Sequence, residues 1–201
     1  MPPQNKKKDR RSARTQRSLS GALVELITEK RFDDITVQEV IDRADVGRST
    51  FYSHFRDKED LFQQDWERFL DGLAQHIDWD QAGQGRFVPV AYLFSHLQEF
   101  QTFYKSLVRS QKADAILNSG TSYLSQKVEV ALTELFRGRP ASSVPIPILS
   151  NYLASELFSL LKWWLDHGMP NSPERMDEIF HELVGSTFRS ALGTGDADEM
   201  K

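Results

Sequence analysis

The sequence predicts an all-α fold in two parts, an N-terminal three-helix head followed by a larger helical domain. Three observations carry that expectation. Apolar residues recur at the 3.6-residue helical period almost throughout, few segments alternate as a strand would, and Ser, Thr, Asp, Gly and Pro punctuate the chain where helices start and stop. A length of 201 residues accommodates a small head plus one larger domain.

Leu19, Leu23, Leu26 and Ile27 follow helical spacing, so a first amphipathic helix is expected from about 12 to 30. Phe32 tucks beneath it, and Asp33-Asp34 mark a turn. Thr36 with Glu39 three residues later is a capping-box pattern that opens a second helix, whose buried stripe is Val37, Val40, Ile41 and Ala44. Asp45-Val46-Gly47 breaks it, and Asp tolerates the left-handed conformation such turns use. A third helix runs from Arg48 or Ser49 to about Phe55. Asp57 caps a fourth, from Lys58 to roughly Gln75, with Leu61, Phe62, Trp66, Phe69, Leu70 and Leu73 on its inner face. The loop-like stretch Asp78 to Gly85 follows. Further helices are expected at about 87–98, 100–110, 112–137, 146–167 and 173–192. The breaks at 138–147 and at Gly168 to Pro173 separate the last three, with Gly168 ending one helix and Ser172-Pro173 opening the next. The resulting division is a disordered basic arm at 1–11, a head at 12–62, a helical body at 63–193 and a frayed tail at 194–201.

Composition bounds the chemistry. Hydrophobic content is 39% and charged content 27%, ordinary for a globular chain. There is no cysteine, which excludes disulfides and thiolate metal sites. The Met-Pro-Pro-Gln-Asn-Lys-Lys-Lys start has no apolar signal core, and no run approaches the ~20 apolar residues of a membrane span. A soluble, cytoplasmic protein is expected. Charge is unevenly spread: seven Lys and Arg against Asp9 give residues 1–17 a charge of +6, so the rest carries −10 of the total −4. An acidic body with a basic leading arm repels nucleic acid everywhere except near that arm. A solubilising tail is the plain alternative for such a run, and an adjacent DNA-reading motif reverses the ranking.

Two helices joined by Asp45, Val46 and Gly47 would pack steeply over Val40, Ile41, Val46 and Phe51, a helix-turn-helix. Gly47, Arg48, Ser49, Thr50, Tyr52, Ser53 and His54 would then face outward. A major groove admits one helix, whose first residues reach base edges. Arg48 suits a forked bond to guanine, Ser49 can bond most bases, and Gly47 permits close backbone approach. Thr50, Tyr52, His54 and Lys58 carry donors suited to phosphate oxygens, as do the free amides of the helices opening at Thr36 and Lys58. Each has a blander alternative: a half-buried tyrosine, a structural histidine, a solvated helix-start lysine. The joint pattern Thr50-Phe-Tyr-Ser-His-Phe-x-x-Lys-Glu-x-Leu-Phe62 is too specific for chance.

On residues 12–62, and on Thr36-Val-Gln-Glu-Val-Ile41 and Thr50-Phe-Tyr-Ser-His-Phe-Arg-Asp-Lys-Glu59 above all, the chain resembles the TetR family of bacterial one-component transcription regulators. The resemblance implies buried aromatics at Phe51 and Phe55, phosphate contacts at Tyr52, His54 and Lys58, and base-reading or groove-facing roles for Arg48, Ser49 and Thr50. Asp45 departs from the glycine usual in the family's turn, and its charge would slightly weaken DNA affinity. Arg10 and Arg14, with Arg11 and Arg17, precede or open the first helix and could reach the backbone or a minor groove.

The resemblance also implies a C-terminal domain that dimerises and encloses an effector. Leu149, Leu153, Leu157, Leu160, Leu161, Trp164 and Leu165 form one wide apolar stripe, and Met176, Ile179, Phe180, Leu183, Val184, Thr187, Phe188 and Ala191 another. Two such helices from each of two subunits would build a four-helix interface, centred on Leu153, Leu157, Leu160, Trp164, Ile179, Phe180, Leu183 and Thr187, while burial inside one chain is the alternative. Residues 151–182, with Leu160-Leu-Lys-Trp-Trp-Leu-Asp-His-Gly-Met169 at their centre, loosely resemble the Firmicutes-type C-terminal domain of this family. Tyr92, His96, Phe103, Tyr104, Tyr123 and Trp163 are candidates to line a pocket for a small apolar or aromatic effector, though aromatics at helical spacing are more often core.

No metalloprotease, phosphate-loop or nucleophile-elbow motif occurs, and the five histidines have no metal-ligand spacing, so neither an enzyme nor a metal or cofactor is expected. The expected function is a dimeric repressor released from a near-palindromic operator by a small molecule. The alternative is a co-regulator or activator subunit acting through a protein partner. Each arm charge that neutralises a phosphate adds about 0.9 to the salt slope. Deleting residues 1–11 should therefore weaken DNA binding and flatten its salt dependence, which a titration of affinity against salt checks directly.

Overall fold

Residues 4–77, 88–108, 113–137 and 142–191 are described by the computed structural model, and every element among them is helical. The expected loop at 78–85 and tail at 194–201 lie outside them. Helix α1 spans Gln4–Glu29 and buries Leu19, Leu23, Leu26 and Ile27. It begins well before residue 12, running through most of the segment whose composition suggested a disordered arm. The physical reason is propensity: Lys, Arg, Gln and Ala favour helix, and neither Gly nor Pro interrupts residues 4–20.

A 3-10 turn at Phe32–Asp34 leads into α2 (Val37–Ala44), which packs along α1. Both halves of the Thr36–Glu39 capping box are formed. Helix α3 covers only Arg48–Tyr52, ending earlier than expected, although the turn continues with the His54 and Phe55 amides donating to the Phe51 carbonyl. Helix α4 spans Lys58–Gln75 and is opened by Asp57, whose carboxylate accepts from the Asp60 amide at 2.7 Å. The Ser20 hydroxyl of α1 donates to Asp65 of α4 at 2.8 Å.

The first residue of α4 holds the head together. Lys58 is only 9% exposed, and its ammonium donates to the carbonyls of Phe32 at 2.7 Å, Asp33 at 3.0 Å and Ile35. It also lies 5.0 Å from the centroid of the Phe32 ring, a cation–π contact. Three charge-assisted bonds offset the cost of removing the cation from water.

The chain divides into two compact units, with the boundary inside α4 between Trp66 and Glu67. Helix α6 (Gln101–Val108) joins the first unit from Thr102 onward. There Phe103 stacks on Phe62 at 6.1 Å, and Tyr104 meets Trp66 at 6.2 Å.

The second unit holds the rest of α4 with α5 (Val90–Glu99), α7 (Ala113–Leu135), α8 (Ile146–Asp166) and α9 (Pro173–Ala191). Helix α5 runs along α9, and α8 packs on α9. Its core includes Phe94 and Trp164, edge to face at 4.8 Å. The indole N–H of Trp164 donates to the Asn171 carbonyl at 3.0 Å, satisfying the one polar atom this ring buries. Gly168 ends α8 with φ at 78°, a left-handed conformation suited to glycine. The Ser172 hydroxyl accepts from the Arg175 amide at 3.3 Å, with Pro173 as the first residue of α9. Among the described residues no helix is long and apolar enough to cross a membrane.

Replacing Lys58 by Met removes three charge-assisted bonds from a largely buried site. Denaturant unfolding should show a loss of about 2–3 kcal/mol.

Candidate nucleic-acid interface

The turn between α2 and α3 is built on one left-handed residue. Asp45 has φ 52° and ψ 50°, and its amide donates to the Asp42 and Ile41 carbonyls, closing α2. The Val46 amide also reaches the Ile41 carbonyl, at 3.2 Å. Asp is among the few non-glycine residues that occupy this region routinely, which explains the substitution seen here. Gly47 is different. Its backbone is extended at φ −73°, and a Cβ added there would meet only the Thr50 hydroxyl at an ordinary 3.8 Å. No constraint inside the head therefore calls for glycine at 47.

Phe51 and Phe55 anchor α3 from within, both essentially unexposed and 5.9 Å apart. That anchoring turns Gly47, Arg48, Ser49, Tyr52 and Ser53 outward, with Thr50 and His54 half-buried. Tyr52 is 52% exposed, its ring edge-on to Phe51 at 5.3 Å. The Ser53 hydroxyl folds back onto the Thr50 carbonyl at 2.7 Å. His54 leans on Phe55 at 6.1 Å. Arg48 donates to the Gln38 carbonyl oxygen at 3.1 Å, and the Gln38 amide donates to Asp42 at 2.7 Å. Gln38 escaped the sequence reading because an exposed glutamine on the outer side of α2 carries no periodic signal.

Thr36 caps α2, so its hydroxyl is engaged with Glu39. The Glu39 carboxyl is pulled down to about 2, first by its bond to Lys30 at 2.6 Å and then by the bonds to Thr36. Lys58 differs from expectation. The sequence suggests an outward ammonium for phosphate, but its three donors are spent on the carbonyls of Phe32, Asp33 and Ile35 in the 3-10 turn region. On α1, Arg10, Arg14 and Arg17 lie at helical spacing and are all exposed.

The effector candidates do not converge. Phe103 and Tyr104 are core residues of the first unit, and burial pushes the Tyr104 hydroxyl up. Tyr92 and His96 belong to the second unit, where His96 stacks on Phe69 at 4.3 Å and Tyr92 lies between Phe69 and His76. Burial holds the His96 imidazole below its ordinary range. Tyr123 shares a cluster with Asp71 and Lys127, whose ammonium is 2.9 Å from the carboxylate and 4.9 Å from the tyrosine ring. Trp163 is 45% exposed on α8 and stacks on His167 at 4.5 Å.

The dimer candidates split into two sets. Leu153, Leu157, Trp164 and Phe180 are buried within the chain. Leu160 and Ile179 are half-buried, while Leu183 is 57% exposed and Thr187 is also exposed. Periodicity could not separate the sets, since a stripe this wide covers both sides of a helix. The outward set borders an open groove of about 420 Å³ between α8 and α9, lined by Leu160, Trp163, Ile179 and Leu183 with Glu156 and Ser159.

The family profile "Bacterial regulatory proteins, tetR family" matches residues 21–64, and "Transcriptional regulator C-terminal region" matches residues 90–186. The uncharacterized HTH-type transcriptional regulator YxbF of Bacillus subtilis (strain 168) is 24% identical over 193 residues, covering 88% of this chain and 46% of its own. The HTH-type dhaKLM operon transcriptional activator DhaS of Lactococcus lactis subsp. lactis (strain IL1403) is 24% identical over 102 residues, covering 49% of this chain and 51% of its own. The chain thus spans about half the length of these curated relatives. The crystal structure of a TetR transcriptional regulator from Streptococcus agalactiae 2603V has 27% identity and a TM-score of 0.57, covering 88% of this chain and 97% of that one. A short helix anchored by two phenylalanines, and family models matching both parts of the chain, lead to one assignment: the protein belongs to the TetR family of bacterial transcriptional regulators, which are not enzymes.

Proposed function

We propose that this regulator acts in the cytoplasm as a two-fold dimer that represses transcription from a near-palindromic operator and is released by a small apolar or aromatic molecule. The observation that carries the DNA part is the outward set Gly47, Arg48, Ser49 and Tyr52 on a helix held rigid by Phe51 and Phe55. Arg48 and Ser49 read base edges, while Thr50, Tyr52 and His54 grip phosphate oxygens. The amides opening α2 behind Thr36 add a phosphate ligand. Arg10 and Arg14 extend the contact along the backbone. Lys58 acts on DNA indirectly, by fixing the turn from which α2 starts.

Dimerisation is supported by Leu160, Ile179, Leu183 and Thr187, the part of the predicted interface that the chain does not fully bury. A two-fold axis would place two reading helices roughly 34 Å apart, one turn of DNA. Release requires an effector that favours the non-binding arrangement by about 3 kcal/mol, which weakens binding about a hundredfold. A second reading, an activator working through a protein partner, is favoured by the activator name of the relative DhaS. Transcription from a selected operator with the lone protein separates the two: repression without any partner supports the first.

Arg48→Ala should change base preference at one pair per half-site, a cost of about 1–3 kcal/mol there, whereas Tyr52→Phe should weaken binding to all sequences alike. Selection from a randomised duplex library followed by affinity measurement checks both, and an even loss for Arg48→Ala refutes its assigned role. Leu183→Glu should yield monomers in sedimentation with the fold intact. Leu153→Ala, at a buried position, should instead lower stability by about 2–5 kcal/mol.

A further inference from the structure

Arg48 does not hang free in solvent. Its guanidinium donates to Gln38 on α2, ten residues back in the chain, at 3.1 Å. Gln38 in turn donates to Asp42, one turn along the same helix, at 2.7 Å. All three side chains are exposed, and none contributes to the stripe of Val40 and Ile41 that packs the head. As exposed bonds these add only about 0.2–0.5 kcal/mol each to the helix pair.

The polarity of the chain is determined. An amide has one accepting and one donating end. Asp42 can only accept and Arg48 can only donate, so a reversed Gln38 would set its NH₂ against the guanidinium and its oxygen against the carboxylate. Asp42 therefore keeps the Gln38 oxygen facing Arg48. Routing the contact through a neutral amide matters chemically. A direct carboxylate would occupy the guanidinium fork and neutralise the charge that guanine or phosphate attracts. The amide oxygen takes one donor of five and leaves the others for DNA.

We propose that Gln38, oriented by Asp42, is a positioning residue that holds the Arg48 guanidinium for its base pair and so sharpens operator specificity. This rests on the role given to Arg48 above. A long side chain fixed before DNA arrives gives up less freedom on binding, and it meets one base pair in one orientation.

The test uses the full chain and a randomised duplex library, with affinities then measured on the selected duplexes and on a non-specific one. Arg48→Ala identifies the base pair that Arg48 reads. Gln38→Met keeps side-chain length and helix propensity but removes both hydrogen bonds. It should lower discrimination at that same pair by about three- to tenfold and leave non-specific affinity and melting temperature unchanged. In the Arg48→Ala background, Gln38→Met should add nothing further. Asp42→Asn should reproduce part of the loss, although removing a negative charge by itself tightens binding to every sequence. If Arg48→Ala shifts preference and Gln38→Met does not, the positioning role alone is overturned. A shift at a different pair that persists without Arg48 overturns it too, since Gln38 would then be reading a base itself. If Arg48→Ala leaves preference untouched, the reading of α3 fails and this inference falls with it.

Discussion

A single buried ammonium governs the geometry of the head. The carbonyls of Phe32, Asp33 and Ile35 line a tight turn, and the Lys58 ammonium donates to all three. Because Lys58 is the first residue of α4, this bond set ties the start of that helix to the segment immediately before Thr36. The capping box then fixes where α2 begins, and the left-handed Asp45 fixes where it ends. The orientation of α3 follows from both. A cation that looks in sequence like part of the DNA-gripping set is in this fold the support beneath it.

Much of this was legible in the residues alone. Helix positions follow from periodicity and punctuation because burying an apolar stripe and satisfying helix ends are local requirements. The Thr36–Glu39 box, the turn at Asp45, the anchors Phe51 and Phe55, and the end of α8 at Gly168 all have short-range signals of this kind. Four features did not. The inward course of Lys58 depends on carbonyls more than twenty residues away. The link from Arg48 to Gln38 joins two exposed polar side chains that no pattern couples. The return of α6 to the first unit is a tertiary pairing, in which Phe103 and Tyr104 complete a core around Phe62 and Trp66. The early start of α1 was hidden because charge content suggested a solvated arm, whereas a Lys- and Arg-rich stretch without Gly or Pro is also a good helix.

The two apolar stripes near the C-terminus illustrate what breadth conceals. Trp164, Phe180 and their neighbours satisfy the chain's own core, so the residues left outside are few and distinctive: Leu160, Ile179 and Leu183 beside the groove bounded by Trp163. An exposed leucine alone is ordinary, and Leu183 is informative because it adjoins Trp163, Leu160 and Ile179 in one apolar patch. The aromatic candidates for ligand binding divide among a core pair, a stacked row of rings on α4 and α5, an ion-pair cluster on α7 and a groove wall on α8. Counting aromatics could not anticipate that scatter.

At five residues, α3 contains barely more than one turn. Isolated helices so short do not persist in water, so this one exists only while two phenyl rings keep it docked. Recognition and folding are thus not separable properties here. On the proposed role of α3, any change that loosens those rings would act on DNA reading through the shape of the helix rather than through its contacts.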